Sequence, residues 1–159
     1  MNERIKNQIE NMKNQTIGVE IEMNNITRKK AAELVAAYFG TIARDSAVEY
    51  GYYSWACRDT KGRTWKFQKD VSIAGPDEEK CEMVTPILKY DDIEDLQAIV
   101  RILRKAGAKS DATRMCGVHI HIGANGHTPR TMRNLTNIMA SHESLLSQAL
   151  DLDRNRIGR

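Results

Sequence analysis

Apolar and polar residues alternate with a period of two in two short stretches of the chain. They are Gly18-Val19-Glu20-Ile21-Glu22-Met23 and Cys116-Gly117-Val118-His119-Ile120-His121-Ile122-Gly123. Side chains of a strand point alternately to its two faces, so Glu20 and Glu22 share one face, as do His119 and His121. Val19, Ile21 and Met23, and likewise Val118, Ile120 and Ile122, share the other. Two such strands predict a sheet packed on one side and holding cations on the other. Elsewhere the spacing turns helical. Ile5, Ile9 and Met12 predict a short leading helix over residues 2 to 13. Thr27 reads as the N-cap of a helix through Ala31, Leu34, Val35 and Tyr38 that Gly40 stops. Ile93, Leu96, Ile99, Val100 and Leu103 lie on one side of a helix over 92 to 105, acidic at its start and basic at its end, with Gly107 beyond it.

Between these helices, residues 48 to 73 alternate aromatic and β-branched positions. They predict a hairpin of strands 52–58 and 63–69 about the turn Asp59-Thr60-Lys61-Gly62. A turn at 74–79 leads to a strand at 80–88, and the histidine strand is predicted over 113–123. A loop with Gly123, Asn125 and Gly126 then precedes a long helix that Pro129 opens and that runs to about residue 150. This order of elements predicts an α+β fold, a mainly antiparallel sheet with helices packed on one face. One domain over 1–159 is expected: a leading helix to 15, a motif-bearing core over 16–125, and a long helix with a basic tail over 126–159.

Composition narrows the classes. A chain of 159 residues can bury one real core, although only 41% of it is hydrophobic. The formal net charge of +3 neither demands nor excludes nucleic acid, for which Arg101, Arg104, Lys105, Arg114 and the C-terminal tail would be the contacts. Cys57, Cys81 and Cys116 are an odd number at wide spacings, residues 1–15 hold no apolar signal core, and no apolar run approaches the roughly 20 residues of a membrane span. The expectation is a soluble, reduced protein of the bacterial or host cell cytoplasm, with no membrane partner.

The candidate chemistry rests on the polar pairs. Two carboxylates on one sheet face repel unless cations, bases or solvent separate them, and a hard divalent ion is the natural neutraliser. Water over an amphipathic strand is the plain alternative for Glu20 and Glu22. His119 and His121 repeat the spacing with groups that can serve Mn²⁺ or Mg²⁺, contact phosphate or move a proton; alternatively backbone carbonyls or solvent satisfy them. Gly117 and Gly123 either admit a ligand to the backbone or end the strand. Glu82 is a lone carboxylate on a strand that breaks at Pro86, either exposed or a third member of the site. Asp70 and Ser72 follow Trp65-Lys66-Phe67-Gln68-Lys69 and read as site residues or as a turn. Cys116-x-x-His119-x-His121 could enter a zinc site only with Cys81, Cys57 or His142 as a further ligand, and a packed thiol is the simpler reading of Cys116. Arg154, Arg156 and Arg159 could clamp phosphate or form a solvated tail.

Taken together, Gly18 through Glu22, Trp65 through Ser72, Glu82 through Leu88 and Cys116 through Gly123 resemble, in order, the motifs of the amidoligase family of the carboxylate-amine ligase superfamily. Those pieces cover about residues 16 to 125, and the long helix with its arginine-rich end resembles the family's next segment. The resemblance implies a glutamine synthetase-like catalytic fold, ATP with Mg²⁺ or Mn²⁺, and amide formation from carboxylate and amine substrates through an acyl-phosphate. It implies metal ligation by Glu20, Glu22 and Glu82, with Asp70, His119 and His121 as catalytic candidates. Cofactor contacts would come from His119, His121, Arg154 and Arg156. Family members generally run well beyond this length, so a short or truncated form is expected, completed by self-association as a homo-oligomer or retained as a non-catalytic interaction protein. For the latter, a phage or mobile-element inhibitor of a host nucleic-acid-handling protein is the expectation, with that host protein as partner.

Overall fold

The period-two stretch at Glu20 forms β1 (Ile17–Met23), which lies between two antiparallel neighbours in the computed structural model. The described residues are 2–124 and 126–153. They fall in two compact units divided between Gly123 and Ala124.

In the first unit α1 (Glu3–Lys13), capped by Asn2, leads into β1 and buries none of its residues. After β1 comes α2 (Arg28–Phe39), whose cap Thr27 accepts from the Lys30 amide. Gly40 closes α2 at φ 67°, a left-handed position that suits glycine. Next come β2 (Arg44–Asp45), α3 (Ala47–Tyr50), β3 (Trp55–Arg58), β4 (Thr64–Gln68) and β5 (Cys81–Val84). The unit ends with α4 (Ile93–Lys105) and β6 (Val118–Ile122). The strands form one sheet in the order β2-β3-β4-β5-β1-β6, every neighbouring pair antiparallel. The fold is α+β, as the order of elements predicts.

One face of the sheet is the core. Cys57, Trp65, Phe67, Met83, Cys81 and Met23 meet Ala31, Ala32, Val35 and Ala36 of α2 and Ile99 and Leu103 of α4. Trp65, Phe67 and Met83 are fully buried, so this layer supplies the apolar burial that holds the unit. The other face carries the polar residues of the same strands.

Three predicted strands are shorter in the structure. The first hairpin strand starts at Trp55, because Gly51, Tyr52 and Tyr53 take φ of 70°, 52° and 49° and cannot be extended. β5 stops at Val84, where Thr85 turns its hydroxyl into the ladder to accept from the Val19 amide ahead of Pro86, which has no amide to give. Pairing resumes as a single bridge between Ile17 and Leu88. β6 begins only at Val118, since Asp111 caps a tight helical turn at Ala112–Arg114 and Met115 is left-handed at φ 59°. The apolar row of β6 also departs from expectation. Val118, Ile120 and Ile122 are exposed, because β6 is the edge strand and the helices cover the middle of the sheet.

The second unit is α5 (Pro129–Ala149). Thr128 caps it reciprocally with Thr131, and Pro129 occupies the first turn, where its missing amide costs nothing. Met132, Leu135, Ile138, Met139 and Leu145 are exposed along it. No helix among the described residues is long and apolar enough to cross a membrane.

Candidate functional site

Strand register places the polar side chains in rows. Across the open face, Lys66 of β4 stands opposite Val84, Val84 opposite Glu20, and Glu20 opposite His119. In the neighbouring row Gln68 faces Glu82 and Glu82 faces Glu22, while His121 faces Gly18. Glu20, Glu22, Glu82, His119 and His121 therefore share one face, as the alternation predicts.

Two overlapping clusters result. Glu20, Glu82 and His119 can bring one ligand atom each within 4.8 Å of one another, and so can Glu22, Asp70 and Glu82. Glu82 belongs to both. Glu22 and Glu82 are buried, which removes the reading of Glu82 as an exposed strand residue. His119 Nδ1 lies 3.2 Å from Glu20 Oε2, and His121 Nε2 lies 3.4 Å from Glu20 Oε1, so Glu20 stands between both imidazoles. The Gly117 amide donates to Glu22 Oε2 at 2.7 Å, and the Gln68 side-chain amide donates to Glu82 Oε2 at 2.7 Å. Among the described residues no lysine or arginine pairs with Glu20, Glu22 or Glu82. Burial pushes the Glu82 carboxyl up from its ordinary range, and the neighbouring Glu20, Asp70 and Glu22 charges push the same way against the Gln68 hydrogen bond.

Asp70 is both things its sequence setting allows. Its Oδ1 accepts from the Ser72 amide at 2.7 Å, a turn contact, and the same side chain reaches the Glu22–Glu82 cluster. Arg28 ties the Tyr53 corner to the segment before β5, donating to the carbonyls of Tyr53 at 3.0 Å, Asp77 at 2.8 Å and Lys80 at 2.7 Å. The Lys69 amide, next to Asp70, donates to the Tyr52 carbonyl at 2.9 Å, so the left-handed Tyr52–Tyr53 corner is held against the segment that aims Asp70. Sequence reasoning passes over Arg28, whose helical position signals only an exposed charge. It also passes over Gln68, although period-two spacing from Asp70 and a place opposite Glu82 are the signal that finds it.

The zinc alternative through Cys57 or Cys81 fails on placement. Cys57 and Cys81 lie on the core face, opposite to the histidines, and burial pushes both thiols up to about 12. Burial raises the Cys116 thiol as well, the reverse of what a reactive cysteine needs. Gly123 has a structural reason: its amide donates to the Thr16 carbonyl at 2.8 Å, and a Cβ there would collide with the Thr16 side chain. Arg114 is engaged by Asp111 at 3.1 Å and by Asn24 at 3.0 Å. Arg154, Arg156 and Arg159 lie outside the described residues. A cavity of about 470 Å³ opens on the helix side of the sheet between Ile21, Met23, Val100, Leu103 and Arg104. None of the predicted site residues lines it, so the concavity and the acidic chemistry occupy opposite faces.

Fold and site together define an α+β protein whose antiparallel sheet bears a face of clustered carboxylates and imidazoles. The family described as "Putative amidoligase enzyme" matches residues 13–159, nearly the whole chain, and the protein belongs to that family. No curated protein and no solved structure matches the chain.

Proposed function

We propose that the chain is an ATP-dependent carboxylate-amine ligase, or the metal-binding portion of one, working with Mg²⁺ or Mn²⁺ on the carboxylate face of the sheet. The observation that carries this reading is the pair of clusters sharing Glu82, with two of the carboxylates buried and, among the described residues, no lysine or arginine paired with them. Oxygen donors with one imidazole fit Mg²⁺ or Mn²⁺, which prefer hard ligands and leave positions for phosphate oxygens. Glu22, Asp70 and Glu82 would hold one ion, and Glu20, Glu82 and His119 a second. Bound there, divalent ions supply the positive charge that a transferring phosphoryl group needs.

The protein groups set the geometry. Gln68 and the Gly117 amide fix one oxygen each of Glu82 and Glu22, which turns the remaining oxygens toward the shared site. Glu20 orients both imidazoles. His121, in neither cluster, would contact phosphate or accept a proton from the attacking amine. The reading is tested by thermal melting with ATP and Mn²⁺ at millimolar concentration, followed by hydroxylamine trapping of activated carboxylates. A raised melting temperature, lost in the Glu20→Ala, Glu22→Ala double variant, is expected. No shift would overturn the ligase reading and leave a non-catalytic binding module on the same fold.

A further inference from the structure

We infer that Lys66 is the binding residue for an oxyanion that extends from a metal ion held at the carboxylate clusters. The inference rests on the metal reading given above and adds the group that receives the far end of the ligand. Lys66 projects from the same face as Glu20 and Glu82, as its register opposite Val84 and the contact of neighbouring Gln68 with Glu82 require. It is half-buried and, among the described residues, makes no ion pair, whereas the other cations around it are engaged. Arg44 holds Glu49 at 2.7 Å, and Lys69 and Lys80 both hold Asp77, at 2.5 and 3.4 Å.

The surroundings give this lysine a direction. Its ammonium lies 5.2 Å from the centre of the Tyr50 ring of α3, and Ala56, beside Lys66 on β3, is buried. On the other side its neighbour is Val84, with no charge, and beyond that Glu20. Two strand spacings separate Lys66 from Glu20, about 10 Å, a gap that a phosphate chain or a short dicarboxylate covers. An ammonium held against a ring on the face that carries the clusters, with uncharged Val84 between Lys66 and Glu20, can receive the far end of an anion with two ends. Lysine suits this role as a point charge for phosphate or carboxylate.

The test uses the full chain and two probes, inorganic tripolyphosphate and succinate, each titrated calorimetrically in saturating Mn²⁺. Binding of Mn²⁺ alone, read by electron paramagnetic resonance, is the control on the metal reading. Lys66→Met keeps the apolar stem and should leave Mn²⁺ binding unchanged while weakening one probe by about tenfold, the value of one charge-assisted contact. Lys66→Arg should restore most of it. Loss with tripolyphosphate assigns the nucleotide's phosphate chain, and loss with succinate assigns the acid substrate. Unchanged affinity for both probes, with Mn²⁺ still bound, overturns the role of Lys66 and leaves the metal reading standing. Failure of the unaltered protein to bind Mn²⁺ overturns both.

Discussion

Two groups of buried carboxylates in the first unit are treated in opposite ways. At the β3–β4 turn, Asp59 and Asp92 are 3% and 2% exposed and meet cations of the chain itself. Arg63 spans them, with Nε 2.8 Å from Asp59 and Nη1 2.9 Å from Asp92, and Lys61 adds a contact of 2.5 Å to Asp92. On the open face, Glu22 and Glu82 are 5% and 6% exposed and, among the described residues, meet amide donors, other carboxylates and the His119 imidazole but no lysine or arginine. The carboxyls move accordingly. Arg63 holds Asp92 well below its ordinary range, and against the pull of burial the Arg63 amide and guanidinium hold Asp59 low, whereas burial and like charges raise Glu82. Burying charge is costly unless it is paired, so the first group is a structural clasp and the second is where the proposed cation would bind.

The sharpest way to break the comparison is to remove the clasp's cation. Arg63→Met leaves Asp59 and Asp92 buried together without their guanidinium, and about 3 kcal/mol of folding stability should be lost, read by urea unfolding. Lys61 is half-exposed and cannot replace the bidentate contact, while the neighbouring Ile87 carbonyl also loses its 3.0 Å donor. Stability within about 0.5 kcal/mol of the parent, the size of a neutral surface change, would mean the turn holds without the clasp.

The complementary experiment supplies the open face with the charge it lacks. At a Mn²⁺ concentration about a hundredfold above its dissociation constant, linkage gives roughly 2.7 kcal/mol of stabilisation, which for a chain of this size is a rise of about 5–10 °C in melting temperature. Glu22→Gln should remove most of that rise, since Glu22 serves only one cluster but is buried within it. Arg44→Gln, at an exposed pair on the sheet edge, should leave the rise intact. A rise that survives Glu22→Gln would place the ion elsewhere.

How much of this was legible beforehand follows from the kind of signal each residue leaves. Alternation alone identifies the shared face of Glu20, Glu22, His119 and His121, because strand geometry permits no other arrangement once the strands pair. It cannot tell that β6 is an edge strand, so the same pattern that places the histidines correctly also predicts burial for Val118, Ile120 and Ile122, which are exposed. The left-handed corner at Tyr52 and Tyr53 leaves no sequence signal, since tyrosine is a poor residue for positive φ and the Ser54–Gly51 turn bond with contacts from Arg28 and Lys69 holds it there. Glu82 could be named as a candidate on its motif, but its place in both clusters depends on register with Glu22, a long-range fact that no local spacing encodes.

The smallest effect separates the two groups by pH. For Asp59 and Asp92, lowered in the fold, the stabilisation is present above the ordinary aspartate value of 3.8 and is lost as pH falls through the folded values. Glu82 has the opposite sign. Its folded value is raised, so above the ordinary 4.5 the native state binds more protons than the unfolded chain, and stability declines as pH rises through the folded value. Without metal, stability should therefore peak under mildly acidic conditions and fall toward neutrality. Glu82→Gln removes both the titration and the like charge directly opposite Glu22, so at pH 7 the metal-free variant should be more stable than its parent, by up to about 1 kcal/mol. The same variant should lose the Mn²⁺ response. A substitution that stabilises the metal-free protein and abolishes metal binding is the behaviour of a site, and one that destabilises in both conditions would make Glu82 a second structural carboxylate like Asp59.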